Sequence, residues 1–136
     1  MPYMAMEHAE DPRQDIYRKV GMKKPGEIPG FELLRNDVLV GVYLRPEKTK
    51  SGIHLPDHTR KEDEHQGKAA LVLMKGPTAF VSDDNIQFDE RQNVEVGDWI
   101  SLWVSDGRKI IVNGQLCRVI RDQDVVMKIP SPDAVF

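Results

Sequence analysis

Three histidines, His54, His58 and His65, stand in one polar stretch with Asp57, Glu62, Asp63 and Glu64, and together they have enough donors to hold a metal ion. Zinc sites space their Cys and His ligands in short fixed intervals, and this stretch matches none of those signatures. A solvated loop carries such residues by chance, so no metal is expected. The one cysteine, Cys117, lies in the apolar run QLCRVI, where a buried small side chain is a better account than a nucleophile. No Gly-rich dinucleotide fingerprint is present, and no enzyme chemistry is expected.

The same stretch, TKSGIHLPDHTRKEDEHQGK at residues 49–68, holds two large aliphatic side chains, Ile53 and Leu55. Set two apart, they share one side of an extended chain while His54 points the other way. Burying both would contribute roughly 3 to 6 kcal/mol, and ordering each residue costs about 1 to 2 kcal/mol, so four or five ordered residues nearly cancel the gain. One such arm binds weakly. Several arms on one rigid body bind far more tightly, because later contacts become intramolecular. Gly52 suits a turn, Pro56 stops the sticky segment from lengthening, and the charges from Arg60 to His65 oppose self-association. From pattern alone, an ordinary long surface loop accounts for 49–68 equally well.

What must position this loop is a set of strands. The run FELLRNDVLVGVYL (31–44) alternates Val38, Val40 and Val42 against Leu39, Gly41 and Tyr43, predicting a first strand covered on both faces. Further strands are expected in KAALVLMKG (68–76), VEVGDWISLWV (94–104), RKIIVNGQLCRVI (108–120) and VVMKI (125–129). Asn113-Gly114 between apolar halves marks a hairpin. Short strands with turn residues between them, and no long helical period, predict an all-β barrel or sandwich. The prolines of the tail, 130–136, should end the sheet.

Before the strands, residues 1–10 read as a disordered or docking tail. DPRQDIYRKVG then predicts a short helix: Asp11 caps, Pro12 suits the first turn, Ile16, Tyr17 and Val20 share a face, and Gly21 stops it. KKPGEIPG (23–30) reads as a linker, which starts the main domain near Phe31. At 136 residues, 40% hydrophobic and 30% charged, the chain has the size and make-up of one globular domain with an arm. A formal net charge of -3 gives no reason to expect nucleic acid or an anionic membrane. A single cysteine, no signal peptide and no apolar run near the roughly eighteen residues of a span point to the cytoplasm.

The order of these segments resembles the chaperonin-10 co-chaperonins, the GroES family, over residues 31–129. FELLRNDVLV resembles the family's first strand, TKSGIHL the start of its mobile loop, and VEVGDWISLW its Val-x-x-Gly-Asp strand. GRKIIVNGQLCRVIRDQDVVMKI resembles its closing hairpin, Asp-containing turn and last strand. The resemblance implies a small GroES-like β-barrel with a mobile loop at about 46–68. It also implies a seven-membered homo-oligomeric ring that caps a GroEL-type chaperonin, with ATP or ADP bound to that partner and a client protein enclosed. Gly52, Ile53, His54 and Leu55 would dock on the chaperonin. The family's last strand pairs with the first strand of the next subunit, which assigns Asp37, Val38, Leu39 and Val40, and Val125, Val126, Met127 and Ile129, to the ring contact.

Three features depart from the family. His54 stands where an aliphatic residue is usual, which makes docking weaker or pH-sensitive. Residues 77–93 occupy the place of a roof hairpin, with Phe80, Val81, Ile86 and Phe88 among charges. The extension 1–30 suggests a bacteriophage-encoded member serving a capsid protein; its helix could line the ring, cross a subunit boundary or, most simply, cover a sheet edge. A competing use is a structural or assembly protein that keeps the barrel and abandons the chaperonin. Trp99 and Trp103, four apart, should face one side and serve core or boundary packing. Arg118 and Arg121 should be solvated or paired with Asp122 and Asp124.

Overall fold

A computed structural model describes residues 10–46, 52–57, 61, 68–82, 84, 87–88 and 93–135. The tail 1–9, the loop residues 47–51, 58–60 and 62–67, and parts of 83–92 lie outside it, and with them His58, His65, Glu62, Asp63, Glu64 and Ile86.

The helix forms as its caps dictate. In α1 (Pro12–Val20) the Asp11 carboxylate accepts from Arg13 N at 2.9 Å, and Gly21 closes the C-terminus at φ 78°. That left-handed conformation is one that a glycine adopts without a Cβ clash. Ile16 and Val20 are buried, while Asp15 pairs with Arg18 and Lys19 on the wet side.

Six strands follow: β1 (Asp37–Val42), β2 (Ala69–Lys75), β3 (Trp99–Ser101), β4 (Arg108–Val112), β5 (Gln115–Arg121) and β6 (Met127–Ile129). They form one antiparallel sheet in the order β4-β5-β1-β2-β3-β6. The all-β expectation holds, with the hairpin β4–β5 turning at Asn113 and Gly114, φ 50° and 86°. Both faces of the sheet are covered. On one face Leu39, Leu71, Trp99 and Cys117 pack with Ile16 and Val20 of α1 and with Ile28. On the other, Val38, Val40, Val72, Ile100 and Ile120 pack with Ala79, Val94 and Leu102.

Two local irregularities allow this. A bulge sets Leu39 opposite Met74 and Val40 opposite Val72, so Leu73 is extra and both Leu73 and Met74 face the helix side. Gly41 then makes room for α1: a Cβ there would lie 2.7 Å from Ile16 Cγ2. The helix therefore covers a face of the sheet rather than an edge. The segment 23–30, expected as a linker, also contributes to the core through Ile28.

The strands are shorter than the apolar runs. Residues 31–34 are not strand, because Arg35 (φ 53°) and Asn36 turn the chain just before β1. Likewise Gly97, at φ 96°, delays β3 until Trp99, and the strand stops at Ser101. Trp99 and Trp103 consequently part company, contrary to the period-two expectation: Trp99 is 5% exposed and Trp103, beyond the strand, 66%. The tail returns to the sheet in a 3-10 turn (Pro132–Val135), where Asp133 accepts a hydrogen bond from the Tyr43 hydroxyl.

Candidate functional site

The loop that carries Ile53 leaves the sheet after β1 and returns into β2. Its two ends are tied together: Tyr43 N donates to Ala69 O at 2.9 Å, and the Tyr43 ring packs edge-on against Trp99 with centroids 5.9 Å apart. From this root, Gly52 is exposed at φ 92°, Ile53 is 59% exposed, His54 is exposed and Leu55 is half-buried. Ile53 therefore offers apolar side-chain surface that the sheet core does not bury. Among the described residues, no group of three or more His, Cys, Asp or Glu could hold a metal ion.

The expected ring contact divides. Val38, Leu39 and Val40 are buried, and β1 is hydrogen-bonded on one edge to β2 and on the other to β5. Asp37 is likewise spoken for, paired with Arg121 and accepting from Gly76 N at 2.7 Å. Pairing of 37–40 with a second copy is thus not available to this fold, since a strand has only two edges. β6 pairs with β3 on one side, and Val126 and Met127 are exposed; Val125 is half-buried and Ile129 is buried in the core. Phe31 and Leu34, just ahead of the turn before β1, are exposed apolar residues, although the sequence pattern predicts them inside the first strand.

The Val94–Asp98 region is a turn that delivers the chain into β3. Asp98 Oδ2 accepts from Glu95 N at 2.9 Å, Asp98 N donates to Glu95 O at 3.1 Å, and Gly97 supplies the positive φ between them. Lys75 clamps the same turn from β2, reaching Val94 O at 3.0 Å and Glu95 Oε2 at 3.2 Å. The hydrogen bond from Lys75 holds the Glu95 carboxyl below its usual range.

This order of strands, a loop between the first two, and a Gly-Asp turn into the third is what the match with known proteins covers. Residues 31–129 match the family model described as Chaperonin 10 Kd subunit. The chain belongs to that family. Among curated proteins it is 34% identical over 96 residues to Co-chaperonin GroES 5 of Rhizobium meliloti, covering 71% of this chain and 86% of that one. It is 29% identical over 96 residues to Co-chaperonin GroES of Gemmatimonas aurantiaca, covering 71% and 91% of the two chains. Against Co-chaperonin GroES of Syntrophomonas wolfei the identity is 37% over 83 residues, 61% of this chain and 79% of the relative. Helix α1 lies outside the matched region of this chaperonin-10 chain, although its side chains lie inside the core.

In this family member, residues 77–93 contain no strand among those described. Phe80 and Phe88 meet edge to face at 5.6 Å, and Ser82 Oγ both accepts from Phe88 N and donates to Phe88 O, so the segment folds back on itself. Beside it a cleft of about 420 Å³ runs between Phe80, Phe88 and Val94 on one side and Val125, Val126 and Met127 on the other.

Buried polar groups in the chaperonin-10 core differ from expectation. Arg118 is 1% exposed rather than solvated, and its guanidinium donates to Trp103 O and Asp106 O, both at 3.2 Å, holding the β3–β4 turn. Asp122 and Asp124 accept from Asn36, Phe80 N and Arg121 N instead of from arginine side chains. Cys117 is fully buried and its thiol is pushed up to about 11 by desolvation, which makes a nucleophilic thiolate unfavourable at neutral pH.

Proposed function

We propose that this chain is a co-chaperonin: a non-enzymatic ring subunit that docks on a GroEL-type chaperonin through Gly52, Ile53, His54 and Leu55 and helps enclose a client protein. The single observation that carries the reading is an exposed Ile53 on a loop tied to the sheet at its root, in a chain of the chaperonin-10 family. ATP or ADP would be bound by the chaperonin, and the site of action would be the cytoplasm. A weak arm needs copies, so the energetics of docking favour a homo-oligomer, and the family resemblance implies a heptamer.

For the ring contact we propose the exposed Val126 and Met127 at β6 against Phe31 and Leu34 of the next copy. This revises the strand choice: the chain just ahead of β1 takes the place of residues 37–40. The structural-protein alternative needs a free arm, and the burial of Ile16 and Val20 in the subunit's own core weighs against it.

Native mass spectrometry of the purified chain, alone and mixed with a bacterial chaperonin and nucleotide, tests the reading. A ring that adds to the chaperonin only with nucleotide, and fails to add when Ile53 and Leu55 are changed to Asp, is the expected result. A chain that never associates with any chaperonin would return the fold to a structural role.

A further inference from the structure

One buried carboxylate in the subunit has no part in the docking loop. Asp122 is 4% exposed, and both of its oxygens are used: Oδ1 accepts from Asn36 Nδ2 at 3.1 Å and Oδ2 from Phe80 N at 2.9 Å. Its own N donates to Asn36 O at 3.1 Å, so Asn36 and Asp122, 86 residues apart, hold each other twice. Three turns meet here: the one before β1, the one after β2, and the 3-10 turn Asp122–Asp124 before β6.

The junction is packed backbone to backbone. Thr78 N donates to Arg35 O at 3.0 Å, and a Cβ on Gly76 would lie 2.3 Å from Arg35 O. Arg35 and Phe80, neither of them glycine, sit at φ 53° and 61°. Such conformations persist only where surrounding contacts over-determine them, and at Phe80 the contact is the Asp122 carboxylate.

Each of these turns carries an exposed apolar side chain. Leu34 lies just before the Arg35–Asn36 turn, Val81 directly follows Phe80, and Val126 follows the 3-10 turn. Exposed side chains on three separate segments are not fixed by burial in their own subunit. A buried, fully used anion behind them can fix their relative positions, because charge-assisted hydrogen bonds are strong and directional.

We infer that Asp122 is a positioning residue for assembly: it locks the three turns in the one arrangement that presents Leu34 to one neighbouring copy of this chain in the ring and Val126 to the other. The inference rests on the ring reading above and adds the element that pre-organises its surface, which lowers the ordering cost of association.

The test compares the full chain with Asp122→Ala, Asp122→Asn and Asn36→Ala in a dilution series followed by native mass spectrometry. Far-ultraviolet circular dichroism and thermal melting are run on the same samples. Asp122→Ala should raise the concentration at half-assembly by about ten-fold or more while the subunit stays folded, a size set by two donors left without an acceptor. Asp122→Asn, which can still accept from Phe80 N and donate to Asn36 Oδ1, should fall between wild type and Asp122→Ala. Hydrogen exchange at the Phe80 amide should speed up in Asp122→Ala before global unfolding.

Assembly of Asp122→Ala at the wild-type concentration overturns the inference, as does a loss that merely tracks the unfolded fraction. If Asp122→Ala does not fold, Asn36→Ala, which removes one hydrogen bond, decides by the same criterion. A wild-type chain that stays monomeric throughout sinks the ring reading itself, a result distinct from a wild-type ring indifferent to residue 122.

Discussion

Val38 and Val40 stand two residues apart, and so do Ile53 and Leu55. The first pair is buried in the sheet core with β5 and β2 on either side; in the second, Ile53 is exposed and Leu55 half-buried. Spacing of two tells which side chains share a face of an extended chain. Whether that face is satisfied by the subunit or left for a partner depends on what lies across from it. In β1 that face is flanked by Ala70, Val72, Ile100 and Ile120 of the neighbouring strands and covered by Ala79, Val94 and Leu102, whereas the loop hangs from a root closed by Tyr43 N and Ala69 O.

The sharpest way to break this contrast is to charge both pairs. Ile53→Asp with Leu55→Asp should weaken chaperonin binding by more than about a thousand-fold on a multivalent ring, since every arm is lost at once. The same double variant should melt within about 1 kcal/mol of wild type, because Ile53 is exposed and Leu55 only half-buried. Val40→Asp should do the reverse, costing more than about 4 kcal/mol in urea unfolding and leaving little folded protein to bind anything.

The two tryptophans sharpen the point at smaller cost. Trp99→Ala should destabilise by about 3 to 5 kcal/mol and Trp103→Ala by less than about 0.5 kcal/mol, measured as shifts in the urea midpoint. Equal effects would show that Trp103 is covered in solution, for instance by another copy. Gly41→Val should cost about 1 to 3 kcal/mol because its side chain enters the space of Ile16 Cγ2. Combining it with Ile16→Ala should recover part of the loss in a double-mutant cycle.

At neutral pH the smallest effect is that of Cys117, which shows itself only in alkali. Burial raises its thiol from 9.0 to about 11, so the folded state disfavours the thiolate. The sign follows: this contribution is intact below the unfolded value, declines above about pH 9 and is lost through about pH 11. By pH 11 wild type should therefore lose roughly 2 to 3 kcal/mol more stability than Cys117→Ala. At neutral pH a thiol reagent should label Cys117 only as fast as the protein opens.

What could be foreseen was local. The cap, stripe and stop of α1 all lie within eleven consecutive residues, 11–21, and the Asn113-Gly114 turn needs only its own two backbone conformations and the apolar runs beside it. The loop between β1 and β2 stood out because its composition contradicts its neighbours. Less legible were features that depend on distant partners. Arg118 is polar by type, yet the carbonyls of Trp103 and Asp106 from another turn receive its guanidinium, so it is buried. Ile28 sat in a Pro/Gly-rich stretch with no periodicity, and its burial comes from the sheet face beneath it.

The sequence by itself determined the all-β class, the helix and its ends, the hairpin turn, the segments resembling chaperonin-10, and the two aliphatic residues of the loop. Only the tertiary structure decided that β1 has both edges taken, that Phe31, Leu34, Val126 and Met127 remain outside, and that Asp122 joins three turns. The physical reason is range. Capping, turn geometry and face-sharing act over a few residues of chain, whereas strand edges and buried carboxylates are filled by groups far away in sequence, whose arrival one-dimensional pattern does not record.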